Sequence, residues 1–203
     1  AQIIGAVNTI VNDDGKLTGY ITDGEGFVNN LKDHGIDIKG RKITVAGGGG
    51  AATAIQVQCA LDGAREITIF NKKDDFFERT LETAEKIRKA VPECVVNVYD
   101  IDDVAKMTEE IKSSDIFANA TIVGMKPLDD QSVVKDTSAF RPGLVVADAV
   151  YNPQETKLLR EAKEAGCTCI GGKGMLLWQG VAAFKLYTGQ DMPVDEVKEL
   201  YFK

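Results

Sequence analysis

The chain has 203 residues, a hydrophobic fraction of 44%, a charged fraction of 27% and a formal net charge of −7. This length is typical of one large domain, or of one domain with part of a second, and it is enough for a core without disulfides or metals. The acidic balance argues against a nucleic-acid-binding surface. No window approaches the about 20 uninterrupted apolar residues of a membrane helix, and no signal peptide is visible.

The cysteines and the single histidine argue against a metal site. Cys167 and Cys169 form a C-x-C pair, which lacks the C-x-x-C spacing of zinc or thioredoxin sites, and His34 is the only histidine. We therefore predict no metal, reduced cysteines and a cytoplasmic location. We also expect no membrane partner, and a homodimer stays open.

The first 40 residues predict a hairpin followed by a helix. Residues 5–11 and 16–21 flank an Asn-Asp-Asp-Gly turn sequence. The helix is predicted over residues 23–34, with Thr22 as its N-cap and Gly35 just past its end.

From residue 42 onward, short apolar runs alternate with stretches of helical periodicity. The strand candidates cover residues 42–46, 66–70, 95–99, 115–119, 144–148 and 167–170. Helices are predicted over residues 50–61, 74–91, 102–112, 156–165, 174–187 and 195–202. The series indicates an α/β fold, a doubly wound parallel sheet of Rossmann type with strand order 3-2-1-4-5-6.

A glycine-rich loop after the first of these strands is the strongest functional signal. Gly47, Gly49 and Ala52 occupy the three small positions of G-x-G-x-x-A, between a predicted strand and a predicted helix. Such a loop lets the backbone approach a pyrophosphate, and the helix that follows directs free N–H groups at the phosphates. We predict a dinucleotide site. Another nucleotide, such as a methyl donor, and a purely structural loop are the alternatives.

The loop after the second strand gives conflicting signals about the dinucleotide. Asp74 follows the glycines at about the 20-residue distance at which an acidic residue binds the ribose 2′-OH of NAD. Lys72 and Lys73 instead suit the 2′-phosphate of NADP. Asp74 also suits a helix N-cap. We favour NAD as the cofactor and accept NADP.

Two more loops follow the fourth and fifth strands. Asn119 and Thr121 lie in the first of them, and Asp148, Val150 and Tyr151 lie in the second. Their place at the carboxyl edge of the sheet favours contact with the nicotinamide half of the cofactor. Asn and Asp are also common turn formers, so a structural role stays open.

Several motifs together resemble the shikimate/quinate dehydrogenase family over essentially the whole chain. They are G-A-V-N-T at 5–9, G-Y-I-T-D-G at 19–24, the glycine loop, N-K-K-D-D-F-F at 71–77, N-A-T at 119–121, V-Y-N-P at 150–153 and G-M-L-L-W-Q-G at 174–180. The resemblance implies an enzyme that moves a hydride between NAD(P) and the ring alcohol of shikimate or quinate. The stretch at 71–77 looks most like the branch that uses NAD as well as NADP and accepts quinate as well as shikimate.

The resemblance also implies roles for individual residues. Asn8 and Asp23 would hydrogen-bond hydroxyls of the cyclic acid, and Asp23 would partner a catalytic lysine in proton transfer. Gln179 would reach the substrate from the helix after the sixth strand, with Tyr151 near it. The pyrophosphate would be held by Gly47, Gly48, Gly49, Gly50 and Ala51. The adenosine would be held by Asn71, Lys72, Lys73 and Asp74. The nicotinamide would be held by Thr121, Val150, Gly172 and Met175.

The chain departs from the family pattern in three respects. We expect the chain to lack the N-terminal substrate domain to which the family's catalytic lysine belongs. In addition, Ile21 replaces a usual Asn, and Lys173 replaces a usual aromatic residue beside the nicotinamide site. We therefore expect a truncated form. Residues 1–39 would be a remnant of the substrate domain with a linker helix, 40–172 the NAD(P)-binding domain, and 173–203 helices that return toward the substrate domain.

The absent lysine leads us to expect that the chain binds nucleotide without turnover on its own. A competing hypothesis is that Lys173 or Lys126 substitutes as the base. Two further alternatives stay open: a non-catalytic nucleotide-binding module and another two-domain NAD(P) dehydrogenase.

Overall fold

The computed structural model describes residues 1–74 and 77–202. The strands are β1 (Thr9–Asp13), β2 (Lys16–Tyr20), β3 (Lys42–Ala46), β4 (Glu66–Asn71), β5 (Val95–Asp100), β6 (Ile116–Asn119), β7 (Val145–Asp148) and β8 (Thr168–Ile170). The helices are α1 (Asp23–Asp33), α2 (Gly50–Leu61), α3 (Phe77–Ala90), α4 (Val104–Ser113), α5 (Lys157–Glu164), α6 (Gly172–Thr188) and α7 (Val194–Tyr201). Asp75 and Phe76, which belong to one of the motifs, lie outside the described residues.

The larger sheet has the strand order β5-β4-β3-β6-β7-β8, with every neighbouring pair parallel. In the numbering of the predicted strands this order is 3-2-1-4-5-6, so the predicted doubly wound fold is confirmed. The order reverses between β3 and β6. In open α/β sheets, ligands bind in the crevice at this switch point, outside the carboxyl ends of the strands.

Successive residues of the central strands face two different hydrophobic clusters. Ile116 and Ala118 of β6 belong to the cluster that also contains Ile55 of α2. Phe117, between them, belongs to the cluster that contains Ile111 of α4. This alternation follows from the two-residue period of a strand, and it explains why the central strands are apolar throughout.

The N-terminal hairpin is shorter than predicted, and its turn is tighter. β1 begins at Thr9 rather than at residue 5, and Asp13 pairs with Lys16. The turn therefore consists of Asp14 and Gly15, with φ values of 50° and 93°. An Asp-Gly pair suits such a two-residue turn, because a type I′ turn needs positive φ at both positions.

Several predicted helix boundaries shift by a few residues. α3 begins at Phe77 rather than at Asp74. α4 begins one residue after Asp103, because the Asp103 carboxylate accepts the N–H of Lys106 at 2.9 Å and caps the helix. α6 begins at Gly172, two residues earlier than predicted.

Two glycines of α1 allow it to pack closely against α2 and α6. A Cβ atom at Gly24 would lie 2.4 Å from the backbone oxygen of Ala54 in α2. A Cβ atom at Gly26 would lie 2.8 Å from the backbone oxygen of Met175 in α6. Both distances are shorter than real Cβ contacts, so glycine is required there. The packing fixes the N-terminus of α1 beside α6.

Candidate functional site

The glycine loop between β3 and α2 forms one wall of the site. Gly47 has a φ of +121°, and a Cβ atom there would lie 2.7 Å from the backbone oxygen of Ala120. A Cβ atom at Gly48 would lie 2.5 Å from Asn71 Nδ2 and 2.5 Å from Thr80 Oγ1. Neither position has room for a side chain, so the loop backbone lies directly against its neighbours.

The start of α2 offers donors to an anion. Gly49 is the N-cap of α2, no side chain caps the helix, and its first turn carries no acidic residue. Cβ atoms at Gly49 and Gly50 would meet nothing within 4 Å. The first N–H groups of a helix have no partner within it, and its N-terminus is electropositive. The predicted residues from Gly47 to Ala51 therefore fit a pyrophosphate group.

A cavity of about 560 Å³ joins the glycine loop to the end of β4 and the start of α3. Asn71 and Asp74 line it, whereas Lys72 and Lys73 are exposed and are not among its lining residues. Arg79, in the first turn of α3, also lines the cavity. Sequence reasoning missed Arg79, because spacing alone does not show which residues of α3 face the glycine loop. The volume is typical of a small-molecule site.

Buried hydrogen bonds join the loop after β6 to the end of β7. Asn119 Nδ2 donates to Asp148 Oδ1 at 2.9 Å and to the backbone oxygen of Val123 at 3.0 Å. Asn119 Oδ1 accepts the N–H and the hydroxyl of Thr121 at 3.1 and 2.7 Å. The Thr121 hydroxyl is thus engaged within its own loop. Its backbone N–H is engaged in the same way, which leaves the backbone oxygen and the methyl group of Thr121 outside these bonds.

Asp148 makes further bonds on the other side. It is 2% exposed, and it accepts the N–H of Val150 at 3.0 Å and the hydroxyl of Thr156 at 2.6 Å. Burial raises the pKa of Asp148, although the hydrogen bonds act in the opposite direction. The Thr156 hydroxyl in turn accepts the N–H of Leu159 and caps α5. Asn119 and Asp148 therefore do more than form turns.

The start of α6 lies against the loop after β7. A Cβ atom at Gly172 would lie 2.5 Å from the backbone oxygen of Ala149 and 2.7 Å from that of Val150. Met175 follows one helical turn later and is 5% exposed. The structure therefore brings Val150, Gly172 and Met175 to the same corner of the sheet.

The predicted substrate residues Asn8 and Asp23 contact each other. Asn8 Nδ2 donates to Asp23 Oδ2 at 2.6 Å. Burial raises the pKa of the half-buried Asp23, while hydrogen bonds from its own backbone and from Asn8 counteract the shift. Thr22 precedes α1 without a side-chain cap, because its hydroxyl bonds to Asn8 instead. The prediction of Thr22 as the N-cap residue of α1 is confirmed, although its side chain makes no capping bond.

Gln179 lies beside the first turn of α1, and Tyr151 lies at the surface. A Cβ atom at Gly26 would be 2.7 Å from the backbone nitrogen of Gln179, so Gln179 is about one helical turn from Asp23. The Tyr151 side chain is 50% exposed, and no hydrogen bond links it to Asn8, Asp23 or Gln179. Three of the four predicted substrate residues are thus gathered around the start of α1.

Comparison with known proteins identifies the family. The family model of the shikimate 5′-dehydrogenase C-terminal domain matches residues 172–200. The shikimate dehydrogenase (NADP(+)) of Listeria monocytogenes serotype 4b (strain F2365) is 50% identical over 202 residues, which span 100% of this chain and 69% of that protein. The chain belongs to the shikimate dehydrogenase family. The resemblance predicted from the motifs is confirmed.

Solved structures of shikimate dehydrogenase relatives share the fold. The Listeria monocytogenes shikimate 5-dehydrogenase, in complex with shikimate and NAD, has a TM-score of 0.94 and 50% identity, over 98% of this chain and 68% of that one. The quinate dehydrogenase of Corynebacterium glutamicum, in complex with NAD, has a TM-score of 0.86 and 29% identity, over 99% of this chain and 69% of that one.

Lys173, where the shikimate dehydrogenase pattern usually has an aromatic residue, does not lie beside Met175. Two residues of an α-helix differ by about 200° around its axis, so the two side chains leave α6 on nearly opposite sides. Lys173 lines a second cavity of about 390 Å³ together with Asp33 and His34, at the far end of α1. That Lys173 lies beside the nicotinamide site stays a prediction.

This placement also argues against Lys173 as the base that works with Asp23. The length of α1, about 15 Å between its first and last residues, separates Asp23 from the cavity that Lys173 lines. Lys126 is exposed in the loop after β6. Among residues 1–74 and 77–202, neither lysine forms an ion pair with Asp23.

Proposed function

We propose that this chain is the cofactor-binding part of an NAD(P)-dependent oxidoreductase that transfers a hydride between the dinucleotide and the ring alcohol of shikimate, with quinate as a second substrate. The observation that carries the proposal is the pairing of two sites. A cavity of about 560 Å³ lies under the glycine loop, and a polar group of Asn8, Asp23 and Gln179 lies at the start of α1. The loops after β6 and β7 and the start of α6 lie at the same edge of the sheet.

The residues present fit a nicotinamide dinucleotide. The open N-terminus of α2 suits its pyrophosphate, and Asn71 and Asp74 suit its adenosine end. The corner formed by Val150, Gly172 and Met175 is left for the nicotinamide end, with Thr121 in the neighbouring loop. When bound, the nicotinamide supplies the acceptor or donor of the hydride.

Asp23 is suited to hold a substrate hydroxyl in a fixed orientation. The bond from Asn8 engages Oδ2 of Asp23, so the second carboxylate oxygen, Oδ1, can accept a hydrogen bond from a substrate hydroxyl. Oxidation of the ring alcohol removes a hydride from carbon and a proton from oxygen, and a ketone remains. A raised pKa brings Asp23 closer to the range in which it shares a proton with a neighbouring base. The family resemblance assigns that base to a lysine.

We propose that both NAD and NADP are accepted, with NAD preferred. Asp74 suits the free 2′-OH of NAD, and Arg79 on the same cavity suits the 2′-phosphate of NADP. The Listeria relative is named for NADP(+), and its solved structure contains NAD. Both names support a cavity that admits either dinucleotide.

Two samples test the proposal: the chain itself, and a chimera in which the chain replaces the matching 69% of the Listeria protein. Formation of reduced dinucleotide from shikimate or quinate is followed in both. We expect turnover in the chimera and dinucleotide binding in both samples, while the chain alone binds without turnover. In the chimera, Asp23→Asn lowers kcat by about 100-fold or more, because proton transfer loses its oriented carboxylate. Lys173→Ala is the matched control and leaves turnover unchanged.

Two other outcomes would replace the proposal. A chimera that binds NADH and never turns over either acid is a non-catalytic nucleotide-binding module. A chimera that oxidises other polyols but neither shikimate nor quinate is a different NAD(P) dehydrogenase.

The division into residues 1–39, 40–172 and 173–203, the cytoplasmic location and the homodimer stay predictions. Among the described residues, none of the helices has the length and apolar character that crossing a membrane requires. Within the same residues, no cluster of His, Cys, Asp and Glu is placed to hold a metal ion.

A further inference from the structure

A continuous series of contacts runs from the glycine loop to the start of α6. Gly47 lies against the backbone of Ala120, the residue after Asn119. Gly172 lies against the backbone of Ala149, the residue after Asp148. The 2.9 Å bond between the side chains of Asn119 and Asp148 joins these two contacts across neighbouring strands. This side-chain bond adds to the backbone bond from the N–H of Ala149 to the oxygen of Asn119, at 2.8 Å, in linking the pyrophosphate wall to α6.

Asp148 is an unusual choice for a purely structural position. It is 2% exposed, and no ion pair joins it to a cation among residues 1–74 and 77–202. An ionised carboxylate is costly to bury without a cation, and an apolar residue would avoid that cost. A carboxylate has lone pairs for several donors, however, and here the three donors come from the end of β6 (Asn119) and from the connection between β7 and α5 (Val150 and Thr156).

We propose that Asp148 is a positioning residue for the reaction. It holds the loops after β6 and β7 at the spacing that the nicotinamide half of the dinucleotide needs, without touching cofactor or substrate. The bond from Thr121 to Asn119 connects Asp148 to the loop after β6, and the bond from Thr156, which caps α5, connects it to the start of that helix. The inference rests on the proposed dinucleotide site, and it deepens that proposal.

Comparison of two ligands separates positioning from general destabilisation. NADH carries the nicotinamide, whereas ADP-ribose carries only the adenosine, pyrophosphate and ribose parts. We expect Asp148→Ala to reduce the ratio of the two affinities, NADH over ADP-ribose, by about 10-fold, with ADP-ribose affinity kept within about twofold. Asp148→Asn, which keeps the shape and one acceptor oxygen, restores part of the ratio. Thr156→Val, which removes one of the three donors, reduces it by about threefold.

Ser114→Ala provides a matched control. Ser114 is also fully buried and bonds to Thr44 Oγ1 at 2.7 Å, but it lies at the opposite edge of the same sheet. Its removal destabilises the fold and leaves the affinity ratio unchanged. If Asp148→Ala does not fold, Asp148→Asn and Thr156→Val carry the test.

The outcomes distinguish this inference from the proposed function. If the unmodified chain binds neither NADH nor ADP-ribose, the dinucleotide site itself is wrong, and the inference is overturned with it. If the unmodified chain binds both and the folded Asp148 and Thr156 variants keep the same ratio, or lose both affinities equally, only the positioning role is overturned.

Discussion

The two edges of the central sheet treat charge in opposite ways. At the amino edge, Lys42 Nζ lies 2.7 Å from Glu110, 3.1 Å from Glu66 and 2.9 Å from Ser113. At the carboxyl edge, the buried Asp148 is bound by neutral donors, and the glycine loop has no charged side chain at all.

The pKa directions express the same contrast. Burial would raise the pKa of Glu110, but Lys106 and Lys42 lower it overall. Burial would lower the pKa of Lys42, but Glu110 and Glu66 raise it overall. For Asp148, burial prevails and raises the pKa. The amino edge thus satisfies its charges internally and stabilises the fold, whereas the carboxyl edge leaves donors unused for an anionic ligand.

The largest expected effect is a loss of stability when the charge network at the amino edge is disrupted. Glu110→Ala leaves Lys42 buried with one acid fewer, and removal of one partner of a buried pair costs about 3 kcal/mol or more. We expect that loss in the free energy of unfolding measured by urea denaturation, with NADH affinity unchanged. Glu109→Ala, which removes an exposed partner of Lys106, is the control at about 0.5 kcal/mol. Equal losses in the two variants would contradict a closed charge network.

The next effect is a loss of NADH affinity when the glycine loop at the carboxyl edge is altered. Gly47→Val places a Cβ atom where Ala120 lies and requires a φ that valine avoids, so the loop must move. We expect NADH affinity to fall by about 100-fold, which corresponds to about 2.7 kcal/mol. Calorimetric titration measures it. Gly180→Ala is the control, because a Cβ atom there meets nothing within 4 Å and alanine favours a helix. Unchanged NADH affinity in Gly47→Val would separate the loop from the ligand.

Sequence alone predicts the carboxyl edge well where the signal is local. The glycine loop is recognisable because its spacing, the strand before it and the helix after it are contiguous in the chain. The strand order follows from the alternation of strands and helices. The predicted length of the hairpin turn is wrong for a related reason. The chain turns within the two residues Asp14 and Gly15, but the run Asn-Asp-Asp-Gly suggests a longer loop.

The remaining features depend on contacts between segments that are distant in sequence. The direction of Lys173 depends on how α6 packs, and the facing of Arg79 depends on how α3 packs against the glycine loop. Asn119, Asp148 and Thr156 were each compatible with an ordinary turn or cap. Only their meeting in space shows that they form one network.

A smaller effect concerns the choice between NADH and NADPH at the carboxyl edge, which we assign to Asp74 and Arg79. Asp74→Ala removes the acid that suits the 2′-OH, so NADH affinity should fall by about 10-fold and NADPH affinity should hold or rise. Arg79→Ala should do the reverse, because it removes a cation that lines the same cavity. Titration of both dinucleotides against both variants measures the exchange. Parallel losses for NADH and NADPH in either variant would show that these side chains do not select the ribose substituent.

The smallest effect is on the pH dependence of the unfolding free energy, to which the two edges contribute with opposite signs. Glu110 has a lowered folded pKa, so its contribution is complete above its ordinary value of 4.5 and is lost as pH falls through the folded value. Asp148 has a raised folded pKa, so stability is instead regained as pH falls through that value toward its ordinary 3.8. As pH falls from about 7 to about 3, Glu110→Gln should reduce the loss of unfolding free energy, and Asp148→Asn should increase it. Urea denaturation across that range measures both slopes. Because the two signs are opposite, slopes that change in the same direction would contradict the contrast between the edges.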